Sequence, residues 1–165
     1  MKPALLVIDV QKQFFDISPG TAGSLTEAIE YINAAIALFR KKQFPVIVVQ
    51  QVNKEDNLVP GNPAFDLPEA LKVLPQDIHI HKTYGNAFNK TLLRENLEEE
   101  GIDTVIITGF CAEYCILSTY RGAEDIDLAP IILKGSLASV KPEHIRFVED
   151  INEVISFGAL EKMLD

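Results

Sequence analysis

Two cysteines, Cys111 and Cys115, stand four positions apart in the segment GFCAEYCILSTYRGAED (109–125), and they are the only thiols in the chain. A thiol can serve as nucleophile, metal ligand, redox partner or small buried hydrophobe. The C-x-x-x-C spacing is not the C-x-x-C of a cytosolic redox pair. No residues nearby supply further zinc ligands at the usual intervals. One catalytic thiol beside a second cysteine of different purpose is left as the reading with chemistry in it. Other reactive side chains are few. Asp9 closes the apolar run ALLVIDV (4–10), and Lys82 closes IHIHK (78–82). His79 and His81 alternate and so share a face, expected to be a solvent-facing strand edge. His144 falls in a late helical segment with an exposed position expected. LEEE (97–100) reads as a solvated helix face.

The elements that position these groups follow from periodicity. Short apolar runs at 4–10, 45–52, 78–82, 103–109, 129–135 and 153–157 read as six strands. Between them lie helical patterns. SLTEAIEYINAAIALFRKKQF (24–44) opens with Ser24 and Glu27 at capping-box spacing and ends in cations. NAFNKTLLRENLEEEGI (86–102) is a helix stopped by Gly101, residues 111–125 form another, and KPEHIRFVEDIN (141–152) a third with Pro142 in its first turn. A short helix closes the chain. Residues 53–77 hold four of the nine prolines and predict a long irregular excursion, more often functional than idle.

Strands alternating with helices predict one α/β domain over residues 1–165. It is a doubly wound, mostly parallel six-stranded sheet of Rossmann-like form with helices on both faces. In such sheets ligands bind beyond the carboxyl ends of the strands, where strand order reverses. Asp9, Lys82 and the cysteine segment all fall at strand ends, which brings a carboxylate, an amine and a thiol to one rim. A helix start and a lysine both favour thiolate, so Cys115 is expected to be activated. Asp9 is placed to move a proton, and backbone N–H groups of the turn are placed to hold an oxyanion. Those are the parts of an acyl-transfer site.

Composition narrows the classes. Of 165 residues, 24 are acidic and 15 basic, a net charge of −9 that disfavours a phosphate backbone as partner. No run approaches the ~20 apolar residues of a membrane span, and MKPALLVID lacks a signal-peptide cleavage site. The expected setting is the cytoplasm, with free thiols, a small-molecule substrate, and neither nucleic acid nor membrane as partner. Neither G-x-G-x-x-G nor G-x-x-x-x-G-K-[ST] occurs, so nucleotide binding has no support.

Three segments together resemble the isochorismatase-like cysteine hydrolase superfamily. LLVIDVQKQFF (5–15) is similar to its opening strand with a catalytic aspartate, here Asp9. IHKTYGNAFNKTLL (80–93) resembles the segment of its catalytic lysine, here Lys82. GFCAEYCILSTYRGA (109–123) resembles the nucleophile segment, which matches Cys115, Thr119 and Ala123. The resemblance implies an Asp-Lys-Cys triad, no cofactor, and a homo-oligomer. It also implies a non-proline cis peptide between Phe110 and Cys111, with the Cys111 and Cys115 amides as oxyanion hole. Phe14, Tyr84, Phe88 and Tyr114 are the candidate pocket residues, since small-molecule sites are mostly apolar. Two departures stand out. Ala112 replaces a frequent threonine, and residues 51–77 contain no histidine, which removes the metal site of the nicotinamidase branch. The expected activity is cleavage of a small amide or related C–N bond through an acyl-enzyme. A non-catalytic scaffold on the same fold and a thiol redox sensor are the alternatives.

Overall fold

The first strand, β1 (Pro3–Ile8), is buried at every position, as a strand covered on both faces must be. In the computed structural model, which describes residues 1–165, it lies at the centre of a six-stranded sheet. The other strands are β2 (Val46–Gln51), β3 (Ile78–Lys82), β4 (Thr104–Phe110), β5 (Ala129–Ala138) and β6 (Val154–Ile155). Their order is β3-β2-β1-β4-β5-β6, and every pairing is parallel. The sheet is therefore wholly parallel, where a mostly parallel one was expected. Chain direction across the sheet reverses between β1 and β4, the crevice in which doubly wound sheets bind ligands.

Alternate residues of β1 serve opposite faces. Leu5 and Val7 join a cluster with Leu25, Ile32, Ile36 and Phe39 of α2 (Pro19–Lys41) and Leu160 of α6 (Phe157–Met163). Ala4, Leu6 and Ile8 join the other cluster. Its helical members are Leu93 and Leu97 of α3 (Leu93–Glu99), Tyr120 and Ala123 of α4 (Leu117–Glu124), and Val148 of α5 (Glu143–Asp150). A one-turn helix, α1 (Lys12–Phe15), follows β1 directly.

Several boundaries depart from the sequence reading. Helix α2 begins at Pro19, five residues before the Ser24 capping box. Ser18 precedes a proline, which disfavours helical geometry there and leaves it extended (φ −165°, ψ 161°), and its side chain caps Thr21 N–H. Ser24 is instead buried within the helix. The helix expected over 86–102 is only α3, because Lys90 has φ 56° and Ala87 N–H donates to Thr119 Oγ1 at 3.0 Å. Tertiary docking on α4 there overrides helical propensity. β5 runs on to Ala138, past a left-handed Gly135 (φ 85°) and an irregular pairing with β4. β6 keeps only two residues of the expected five. The helix expected from Cys111 is preceded by one wide turn over Ala112–Ile116.

Candidate active site

Asp9, Lys82 and Cys115 come from three separate elements and meet at the carboxyl rim of the sheet. Asp9 is the residue just past β1, in left-handed backbone (φ 54°) with its N–H donating to Val49 O at 2.8 Å. That turn of the backbone ends the strand, so β1 covers Pro3–Ile8 and not 4–10. Lys82 ends β3, and its whole side chain is out of solvent (0% exposed). Its ammonium lies 2.8 Å from Asp9 Oδ2 and donates to Cys115 Sγ at 3.3 Å, to Tyr84 O at 3.1 Å, and to Gln51 Oε1. A buried ammonium needs such a set of acceptors to offset its desolvation. Asp9 Oδ1 is buried too, with no hydrogen-bond partner in the protein.

The electrostatics differ from the expected activated thiolate. Burial first, and then the negative charge of Asp9, push the Cys115 thiol up to about 12, and Lys82 offsets only part of this. The reason is positional: Cys115 lies inside the wide turn before α4, half-buried against the core, not among the exposed N–H groups of a helix start. Asp9 itself is raised above the ordinary carboxylate range by burial, against the pull of Lys82. The resting site therefore holds a protonated sulfur beside a carboxyl group with one oxygen free to take a proton. Such a pair delivers a nucleophile only as the proton moves, in step with attack.

The turn that presents Cys115 has the opening geometry of a π-turn. Cys111 O accepts from Tyr114 N at 3.0 Å and from Ile116 N at 3.2 Å. The Phe110–Cys111 peptide is cis. The Cys111 N–H donates to no backbone or side-chain acceptor in the protein. Both cysteines are free thiols, with Cys111 buried.

The proposed pocket residues separate into two kinds. Phe14 is half-buried and stacks on Phe110, ring centroids 4.8 Å apart, beside the cysteine turn. Phe88 is half-buried against the same cluster as Cys115. Tyr84 and Tyr114 are exposed, and the Tyr84 hydroxyl accepts from Lys90 Nζ at 3.0 Å. Both strand histidines lie on the exposed edge strand β3. His79 meets Leu74 O, and His81 sits edge-on to Phe65 at 5.1 Å. His144 is not a free surface residue as expected: it is half-buried and pairs with Glu113 at 2.9 Å. A groove of about 690 Å³ includes Tyr31, Lys134, Arg146 and Phe157 and none of Asp9, Lys82 or Cys115.

Sequence reasoning missed a glutamine scaffold around the lysine. Gln11 Oε1 accepts from Gln51 N at 2.8 Å, while Gln11 Nε2 reaches Gln51 O and Phe65 O. Gln50 Nε2 also donates to Phe65 O, which ties the 53–77 excursion to the rim. Gln51 ends β2, so the strand-end rule that found Asp9 and Lys82 applies to it equally.

The Isochorismatase domain family model matches residues 3–149, further along the chain than the three sequence segments reach. The isochorismatase family protein YrdC of Bacillus subtilis is 30% identical over 140 residues, covering 84% of this chain and 74% of that protein. The maleamate amidohydrolase of Pseudomonas putida is 28% identical over 152 residues, covering 81% and 70%. In three dimensions the chain superposes on an isochorismatase-like hydrolase from Alkaliphilus metalliredigens with a TM-score of 0.90. That match covers 100% of both chains at 23% identity, a likeness of fold.

Proposed function

The chain belongs to the isochorismatase family, and from that premise we propose that it is a cysteine amidohydrolase cleaving a small-molecule amide or related C–N bond. The observation that carries the reading is the contact of one buried ammonium, Lys82, with both Asp9 (2.8 Å) and Cys115 (3.3 Å). A relative that is a maleamate amidohydrolase supports amide chemistry. The absence of histidine from 51–77 supports a reaction without a metal.

The steps follow from the resting protonation. Cys115 sulfur attacks the amide carbon while its proton passes to Asp9 Oδ1, the oxygen that Lys82 does not hold. The carbonyl oxygen becomes an oxyanion and is met by the N–H groups of Cys111 and Cys115. Collapse breaks the C–N bond, and Asp9 returns the proton to the leaving nitrogen, which departs as ammonia or an amine. Water then attacks the thioester, and Asp9 takes one of its protons. The carboxylic acid leaves, and the proton goes back to sulfur. The sum is amide plus water giving acid plus amine. Lys82 keeps Asp9 oriented and stabilises negative charge on sulfur during the transfer.

A panel of small primary amides, assayed by ammonia release, tests this. Cys115→Ala, Asp9→Asn and Lys82→Ala should each abolish turnover of whichever amide the protein accepts, and His81→Ala should not. An inactive His81→Ala beside an active Lys82→Ala would replace the triad with a Cys–His site.

A further inference from the structure

The turn carrying the proposed nucleophile and oxyanion donor is not held by its own capping. Cys111 occupies its N-cap position without a side-chain capping bond. What clamps it is Glu113, two residues from each cysteine. Glu113 Oε2 accepts from Ser139 Oγ at 2.6 Å and from Cys111 Sγ at 3.2 Å, and Oε1 meets His144 Nδ1 at 2.9 Å. Ser139 is fully buried at the end of β5. Its Oγ accepts from Lys141 N at 3.0 Å, and its N–H donates to Ser24 Oγ of α2 at 3.2 Å. The turn is thus bolted to the β5–α5 connection and, through Ser24, to α2. Neither Asp9 nor Lys82 hydrogen-bonds to this network, so it takes no part in the proton transfer.

We infer that Glu113 is a positioning residue which, with Ser139 and His144, fixes the Cys111 N–H where the oxyanion forms. This rests on the amidohydrolase reading. The chemistry of the carboxylate fits the role. It is ionised, since hydrogen bonds from Ser139, its own backbone N–H and His144 outweigh the upward push of burial and hold it below the usual carboxylate range. Cys111 stays a thiol, pushed up to about 11 by burial, and so serves as donor to that carboxylate. Three donors on one side chain fix both its ends, and charge-assisted bonds of this kind are roughly twice as strong as neutral ones. A shift of about 1 Å in a catalytic group costs on the order of 100-fold in rate.

The test compares two reagents at Cys115, both read by peptide mass. Acylation by p-nitrophenyl acetate joins the sulfur to the acetyl carbon, expels p-nitrophenolate and passes through an oxyanion. Alkylation by iodoacetamide displaces iodide and does not. In Glu113→Gln, acylation should fall about 10- to 100-fold while alkylation changes by less than about 3-fold. Ser139→Ala breaks the clamp from its other side and should show the same split, which keeps the test open if Glu113→Gln does not fold. Equal loss of both rates would make Glu113 merely structural, and no change in either would remove its role. Both outcomes overturn the inference. The underlying reading fails separately, if Cys115→Ala is acylated as fast as the unaltered protein.

Discussion

Asp9→Asn should make Cys115 more reactive while ending catalysis. The substitution keeps shape and removes the charge that is the second cause, after burial, of the thiol being pushed up to about 12. A unit charge about 4 Å away at an effective dielectric of about 20 is worth about 4 kcal/mol, or about 3 pH units on the sulfur. The thiol pKa falls by about that much. Lys82, relieved of its carboxylate partner, keeps the sulfur at 3.3 Å and favours its thiolate form. At pH 7.5 the thiolate fraction rises about 1000-fold. A less basic sulfur is also intrinsically slower, by about 16- to 32-fold for a Brønsted slope of about 0.4–0.5. The net acceleration of iodoacetamide alkylation is about 30- to 60-fold. Rates are read by quenched time courses and peptide mass, with buried Cys111 as internal control. Unchanged or slower alkylation of Cys115 in Asp9→Asn would refute the claim that Asp9 keeps the proton on sulfur. Retained hydrolysis would refute Asp9 as the group that carries the proton during turnover.

Three further outcomes are expected. Asp9 must be ionised to accept the proton, and its pKa is raised by burial. Turnover should therefore rise with pH through an acid limb lying above the ordinary carboxylate range, and any alkaline limb below about pH 11 belongs to a group other than Cys115. Lys82→Met leaves Asp9 buried without its ion partner, costing about 3–5 kcal/mol and lowering the melting temperature by about 10 °C, with turnover lost. Gly109→Ala would drive a Cβ into the backbone of Ile8 at φ +117°, beside the strand end that carries Asp9. That contact is with backbone and cannot be relieved by rotamer change, so thermal denaturation should show a loss of about 3 kcal/mol or more.

What could be read from the residues alone was the part governed by periodicity and strand ends. The unbroken apolar run before Asp9 announces a strand buried on both faces, and the alternation with helices implies the parallel sheet that places β1 beside β4. The rim position of Asp9, Lys82 and the cysteine turn followed from that. Contacts across long sequence separations were not legible. Ser139 meets Glu113 from 26 residues away and Ser24 from 115. Neither spacing carries a signal. The Asn86–Leu92 stretch scans as helix, yet docking through Ala87 and Thr119 holds it in turns. The protonation of the thiol is illegible in the sequence for a related reason. Its pKa depends on burial and on the distance to Asp9, and both belong to the folded state.

The proposed hydrolysis passes through a covalent acyl-enzyme on Cys115. Mixing the protein in excess with an accepted amide, quenching in acid within one turnover, and mapping peptides by mass tests it directly. A transient acyl mass on Cys115 is expected, decaying as acid product appears, with no adduct in Cys115→Ala. Product formed in Cys115→Ala at the unaltered rate, or an acyl group mapped to any other residue, would contradict it.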